Sequence, residues 1–106
     1  MQLSVLSDYG ATERIITQGA SPEIVEKTIS NLDWDGFHQV VMTKRNGDWL
    51  EVGGSLNPTD GLSVMYEEDG QQVVIKEPPA TIAFLIQVAI AYVNNTGRWK
   101  EMAEWD

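Results

Sequence analysis

The chain has 106 residues, 42% of them apolar and none of them cysteine, and its sixteen Asp and Glu against seven Lys and Arg leave a formal net charge of −9. A chain of this size can bury a core without metal or disulfide staples, and the absence of thiols excludes disulfides, zinc–thiolate sites and thiol nucleophiles. Binding to nucleic acid or to an anionic membrane needs a basic footprint that this sequence lacks, whereas a negative surface draws in basic proteins.

The first ten residues, MQLSVLSDYG, show neither a basic n-region nor a sustained apolar run, so no signal peptide is expected. Cytoplasmic residence and one domain over residues 1–106 are the expectations. Leu3, Val5 and Ile15–Ile16 suggest short strands separated by a turn at Ser7-Asp8-Tyr9-Gly10. Ser21-Pro22-Glu23 opens a helix: Ser accepts at the N-cap, Pro is tolerated at the first position, and Glu suits the positive end of the dipole. Ile24, Val25, Thr28, Ile29 and Leu32 mark its buried side, and it ends near Asn31.

Four strand-like runs follow. In 36–44, His38, Val40 and Met42 alternate with Phe37, Gln39, Val41 and Thr43. Asn46-Gly47 is a hairpin signal, after which Leu50 and Val52 face one way and Trp49 and Glu51 the other. Leu62, Val64 and Tyr66 alternate with Ser63, Met65 and Glu67, and Asp69-Gly70 turns the chain tightly into 73–76. These runs predict a four-stranded antiparallel meander, stopped by Pro78-Pro79. The stretch ATIAFLIQVAIAYV (80–93) then carries no charge. At about 1.5 Å per residue it is too short to cross a bilayer core of ~30 Å. Ile82, Leu85, Ile86, Ala89 and Val93 form one apolar stripe, and Phe84, Val88 and Ala91 form a second. It reads as a central helix with one stripe on the sheet and the second covered by another segment. Gly97 ends it. The predicted fold is α+β: a four-or-more-stranded antiparallel meander sheet packed by two helices, the C-terminal one central.

Residues that could carry chemistry are few. His38, the one histidine, shares a strand face with Val40 and Met42, which makes it a structural imidazole before a general base. No Ser lies in a nucleophile elbow. Asp33-Trp34-Asp35 begins like a carboxylate metal site, but the spacing that would complete one is missing. Gly53-Gly54 lacks the Lys and following helix of a phosphate loop and suits a strand end that bulges or closely approaches another backbone. No metal or cofactor is expected. The four tryptophans are more informative. Trp34, Trp99 and Trp105 stand beside acidic residues, and Trp ringed by carboxylates is the composition of a hot spot facing a cationic protein. Trp99 and Trp105 have a second reading, folding back onto the central helix.

The order of Leu50-Glu51-Val52-Gly53-Gly54, Leu62-Ser63-Val64 running on through Asp69-Gly70, a C-terminal helix, Gly97-Arg98-Trp99 and Glu104-Trp105 resembles the Imm-type immunity proteins of bacterial polymorphic-toxin and contact-dependent inhibition systems. The resemblance spans Leu32 to Trp105. It implies a small cytoplasmic α+β protein, not an enzyme, that binds and blocks one cognate toxin domain, often a nuclease or nucleic-acid deaminase. Gly53, Gly54, Trp99 and Trp105 are then pattern residues with structural roles. The expected partner contacts are Asp33, Trp34, Asp35, Glu67, Glu68 and Asp69, because turns and hairpin tips project furthest from a sheet. The alternatives are a general interaction module or homodimer using the second stripe of the central helix, and a small enzyme pairing His38 with Glu51 or Asp35.

Overall fold

Alternation of apolar and polar residues builds most of this molecule. The computed structural model describes residues 1–106: β1 (Gln2–Ser7), β2 (Thr12–Thr17), α1 (Pro22–Ser30), β3 (His38–Thr43), β4 (Trp49–Gly54), β5 (Leu62–Glu68), β6 (Gln71–Val74), α2 (Ile82–Val93) and a 3-10 turn over Arg98–Met102. The expected α+β architecture is present, and the sheet has six strands in the order β2-β1-β3-β4-β5-β6. All neighbours are antiparallel. From β3 to β6 the chain is the predicted meander. The N-terminal hairpin extends it by pairing β1 with β3 from Gln2↔Thr43 to Ser7↔His38, which leaves β2 at the edge.

The turns follow their residues. Asp69 (φ 51) and Gly70 (φ 78) both sit in the left-handed region and close a two-residue hairpin between Glu68 and Gln71. The Asn46-Gly47 turn is wider than expected: only Gly47 (φ 95) is left-handed, its amide bonding the Lys44 carbonyl while the Lys44 amide bonds Asp48. Gly53 and Gly54 make the close approach that their type permits. A Cβ on Gly53 would stand 2.7 Å from the His38 carbonyl oxygen. One on Gly54 (φ +112) would overlap the Gly61 carbonyl and lie 2.9 Å from Leu62 Cα.

The helices start where their caps direct. The Ser21 hydroxyl accepts from the Ile24 amide at 3.3 Å and the Thr81 hydroxyl from the Phe84 amide at 3.2 Å. Both lie on one side of the sheet. The core joins Leu3 and Val5 of β1, Val40 and Met42 of β3, Leu50 and Val52 of β4 and Val64 of β5 to Val25 and Ile29 of α1 and Leu85, Val88, Ala89 and Tyr92 of α2. Burial of each large side chain contributes roughly 1.5–3 kcal/mol. Of the second stripe of α2, Val88 is fully buried, and Phe84 and Ala91 are half-buried. The C-terminal segment folds back as the alternative reading of its tryptophans had it. Trp99 is 3% exposed and meets Tyr92 and Tyr66 edge-on at 5.1 and 4.8 Å, while Trp105 packs on Tyr66 at 5.0 Å. An isolated bridge between Ile75 and Trp105, with the Asp106 amide bonding Val74 and the Lys76 amide bonding Glu104, covers the outer edge beyond β6. No helix is long and apolar enough to cross a membrane.

Candidate partner-binding surface

Sheet register gathers three loops at one end of the molecule. Ser7, His38, Gly54 and Leu62 form a row across β1, β3, β4 and β5. The segments just outside that row are the β1–β2 turn, the α1–β3 connection and the β4–β5 loop. They carry Asp8, Asp33, Asp35 and Asp60, all exposed, and no Lys or Arg. Tyr9, 71% exposed, stacks on Phe37 with ring centroids 4.5 Å apart and planes 13° apart. Its hydroxyl donates to the Asp60 carboxylate at 3.2 Å, and that bond is the main reason the phenol resists ionisation beyond its ordinary range. Asp60 also accepts from the Ser55 hydroxyl at 2.8 Å. This stack is held at a cost, since Asp8 (φ 52) and Tyr9 (φ 57) are consecutive non-glycine residues in the left-handed region. Such strain concentrates at functional segments.

The six expected contact residues divide into two groups at opposite ends of β5. Asp33, Trp34 and Asp35 lie at the Gly54–Leu62 end, tied there by the Leu56 amide bonding the Trp34 carbonyl at 2.8 Å. Glu67, Glu68 and Asp69 lie beyond the Trp49 end, about 20 Å away for a strand of this length. One compact contact does not use all six.

Trp34 is a correction. It is 5% exposed, and its indole N–H donates at 2.9 Å to the Ile29 carbonyl in the last turn of α1, which also accepts from the Leu32 amide at 3.3 Å. The ring joins the core and only its flanking aspartates face outward. Asp33 itself caps the turn by accepting from the Asp35 amide at 3.1 Å. At the other end, Glu67 accepts from the Gln72 side chain at 3.2 Å and Glu68 forms an ion pair with Lys100. The ammonium is held above its usual range chiefly by that bond. The Asp69 amide, in turn, bonds the Asp48 carboxylate at 3.2 Å. Glu67 and Glu68 are thus half-buried and engaged within the chain while Asp69 is exposed; at the other end all four aspartates are exposed, though Asp8, Asp33 and Asp60 also accept intrachain bonds.

His38 has both ring nitrogens occupied. Nε2 lies 2.9 Å from the Asp33 carbonyl, which can only accept, so Nε2 carries the proton and Nδ1, 2.9 Å from Ser7 Oγ, accepts. Trp34 meets the ring edge-on at 5.7 Å. The imidazole stitches β1 to the α1–β3 loop. Glu51 stands on the opposite face of the sheet, with Val41 and Met65 as its register partners and the Gln39 side chain bonded to it, so the suggested His38–Glu51 pair does not form. No three His, Asp or Glu side chains are grouped to hold a metal ion. A groove of about 500 Å³ beside the N-terminus of α2, lined by Ile75, Pro79, Phe84 and Met102, lies away from His38.

The aspartate loops were legible as turns, but the Tyr9–Phe37 stack was not, because no local pattern links residues 28 positions apart. Comparison with family models, curated proteins and solved structures found no match to this chain.

Proposed function

We propose that this protein is an immunity protein that binds and neutralises a basic, nucleic-acid-targeting bacterial toxin domain by protein–protein contact. The observation that carries the reading is the aspartate end: four exposed carboxylates in three adjacent loops without a Lys or Arg, beside an exposed Tyr9 and an exposed Leu56. Acid with apolar and aromatic side chains at the same place combines steering with slow release. A toxin that acts on nucleic acid has a basic cleft, and a chain at −9 complements it where phosphate would sit. Charge complementarity of this kind lifts association rates toward about 10⁸ M⁻¹s⁻¹ at low salt. The resemblance of residues 32–105 to Imm-type proteins supports the same reading.

The test is co-expression with the C-terminal domain of a secreted protein encoded immediately upstream. Rescue of growth, and a 1:1 complex whose affinity falls as salt rises, are expected. Absence of rescue refutes the function, and salt-independent affinity refutes its electrostatic part.

A homodimer is the second reading, favoured by a different element than the one first expected. Strand β2 is an exposed, unpaired edge, and its Ile15 is 57% exposed. Sedimentation separates the two: a dimer that survives dilution and is lost on Ile15→Lys supports edge pairing.

A further inference from the structure

Both helices pack on one face of the sheet, and the other face has no cover. Its composition is set by register. Ile15, Ser4, Val41, Glu51, Met65 and Val74 are consecutive cross-strand partners and form one row across all six strands. Leu6 and Trp49 flank the row on the same face. The row ends are open, Ile15 at 57% and Val74 at 40% exposure, and Val41, Glu51 and Met65 between them are half-buried. Six strands at ~4.8 Å spacing and about six residues along each give roughly 500 Å² of continuous surface. A standard interface takes about 800 Å² from each partner, so this face is more than half of one.

Within the strand rows of this face charge has one sign. Glu13, Glu51 and Glu67 belong to it. No Lys or Arg lies within its strand rows: Arg14 faces α1, Lys27 is on α1, and Arg98 and Lys100 belong to the C-terminal segment, while Arg45, beside Gln2 and Thr43, and Lys76, two residues past Val74, stand at the margins. Glu51 occupies the middle of the apolar row. One of its oxygens accepts from Gln39 Nε2 at 3.2 Å, and no cation pairs with it, the one ion pair of the chain being Lys100–Glu68. Burial raises its carboxyl above the ordinary range, with the Gln39 bond pulling the other way. A partly desolvated carboxylate without a counter-charge is unfavourable in the free protein and becomes favourable when a cation is set over it.

We propose that the helix-free sheet face is the docking surface for the basic partner, with a guanidinium of that partner seated over Glu51 and its apolar side chains covering Val41, Met65 and Val74. This rests on the function proposed above for the identity of the partner, and it places the main contact on the sheet face, with the aspartate end at its border steering the approach. A central charged anchor ringed by apolar contacts is the usual layout of a binding hot spot, and the planar fork of Arg suits a carboxylate better than the ammonium of Lys. A second copy of the chain is a poor occupant. Stacking two such faces brings together six carboxylates, Glu13, Glu51 and Glu67 of each copy, with cations only at the margins, at Arg45 and Lys76.

The test has two probes. The first is a synthetic peptide of alternating Arg and Leu, titrated into the ¹⁵N-labelled protein. Amide shifts centred on Val41, Glu51 and Met65, and affinity at least fivefold weaker for Glu51→Gln, are expected. The variant is isosteric and keeps a partner for Gln39, so it folds. Shifts confined to the Asp33–Asp35 loop or to the Glu67–Asp69 hairpin, no binding, or unchanged affinity in Glu51→Gln would overturn the proposal. The second probe is the upstream-encoded toxin domain, where Glu51→Lys is expected to lose rescue and Glu77→Lys to keep it. Failure of wild-type rescue refutes the immunity reading, and the peptide result then still decides whether the face takes a cationic chain. Rescue that survives Glu51→Lys refutes the face and leaves the immunity reading standing.

Discussion

Replacing Tyr92 by Phe is expected to make the protein more stable. Tyr92 is 1% exposed, and its hydroxyl is the one buried side-chain polar atom without a hydrogen-bond partner. Burial first, and then the negative charges of Asp48 and Glu68, drive its ionisation far above the usual phenol range, so it stays neutral at any ordinary pH. An unsatisfied buried hydroxyl costs about 1–3 kcal/mol. The ring contributes independently: it meets Trp99 edge-on at 5.1 Å and lies under the Lys44 ammonium at 4.9 Å, and Tyr92→Phe keeps both contacts. A gain of about 1–2 kcal/mol is therefore expected, a rise in Tm of about 4–8 °C per kcal/mol for a domain near 100 residues. Urea denaturation followed by Trp fluorescence measures it, with an unchanged slope showing that the denatured state is the same. Tyr92→Ala, which also removes the ring, is expected to cost about 3–5 kcal/mol. A loss of stability in Tyr92→Phe would refute the reasoning, because it would mean that the hydroxyl has a partner, such as a water bridging to Asp48.

Gly54→Ala combines a left-handed φ with overlap on the Gly61 carbonyl, and a loss of at least ~3 kcal/mol is expected by denaturation. Because the folded state holds the Glu51 carboxyl above its unfolded value, that group weakens the fold above the folded pKa. The penalty disappears as pH falls to the unfolded range near 4.5. Glu51→Gln is accordingly expected to be more stable than wild type at pH 7 and equal to it at pH 4, and a constant difference in paired melts at the two pH values would contradict the sign. Ser21→Ala removes the N-cap of α1, at a cost of about 1 kcal/mol readable from the same curves. Glu68→Gln breaks an ion pair that is about two-fifths solvent-exposed at Lys100, and a change below ~1 kcal/mol, vanishing at high salt, is expected.

Particular residues show why some of this was legible in the sequence. Val40, Met42, Leu50, Val52 and Val64 recur with a period of two, and the intervening positions hold Gln39, Thr43, Glu51 and Ser63 as well as Val41 and Met65, so the more uniformly apolar side is the one turned to the core. Asp69-Gly70 needed no tertiary information, because left-handed φ values at both positions define the turn locally. The place of β1 did. Its pairing with β3 joins Ser4 to Val41, and nothing near either residue announces the other. Trp34 reads as exposed in the sequence for a related reason. Its neighbours Asp33 and Asp35 set the local polarity, while its own position follows from an indole N–H finding the end of α1. Glu51 was assigned to the correct strand face, but that this face is bare depends on both helices choosing the other side. The candidate site was thus visible as turns and charges, and invisible as a surface.

The two borders of the sheet are not equivalent. At one, Trp105 and its neighbours lie against Val74–Lys76 and occupy the backbone groups there; at the other, Thr12–Thr17 is bare along its whole length. Thr12–Thr17 is therefore the longer free edge, Gln71–Val73 being all that stays open at the other border, and two molecules that meet along Thr12–Thr17 end the series at a pair. Loss of the last three residues would free the second border and turn a self-limiting contact into one that repeats along a filament.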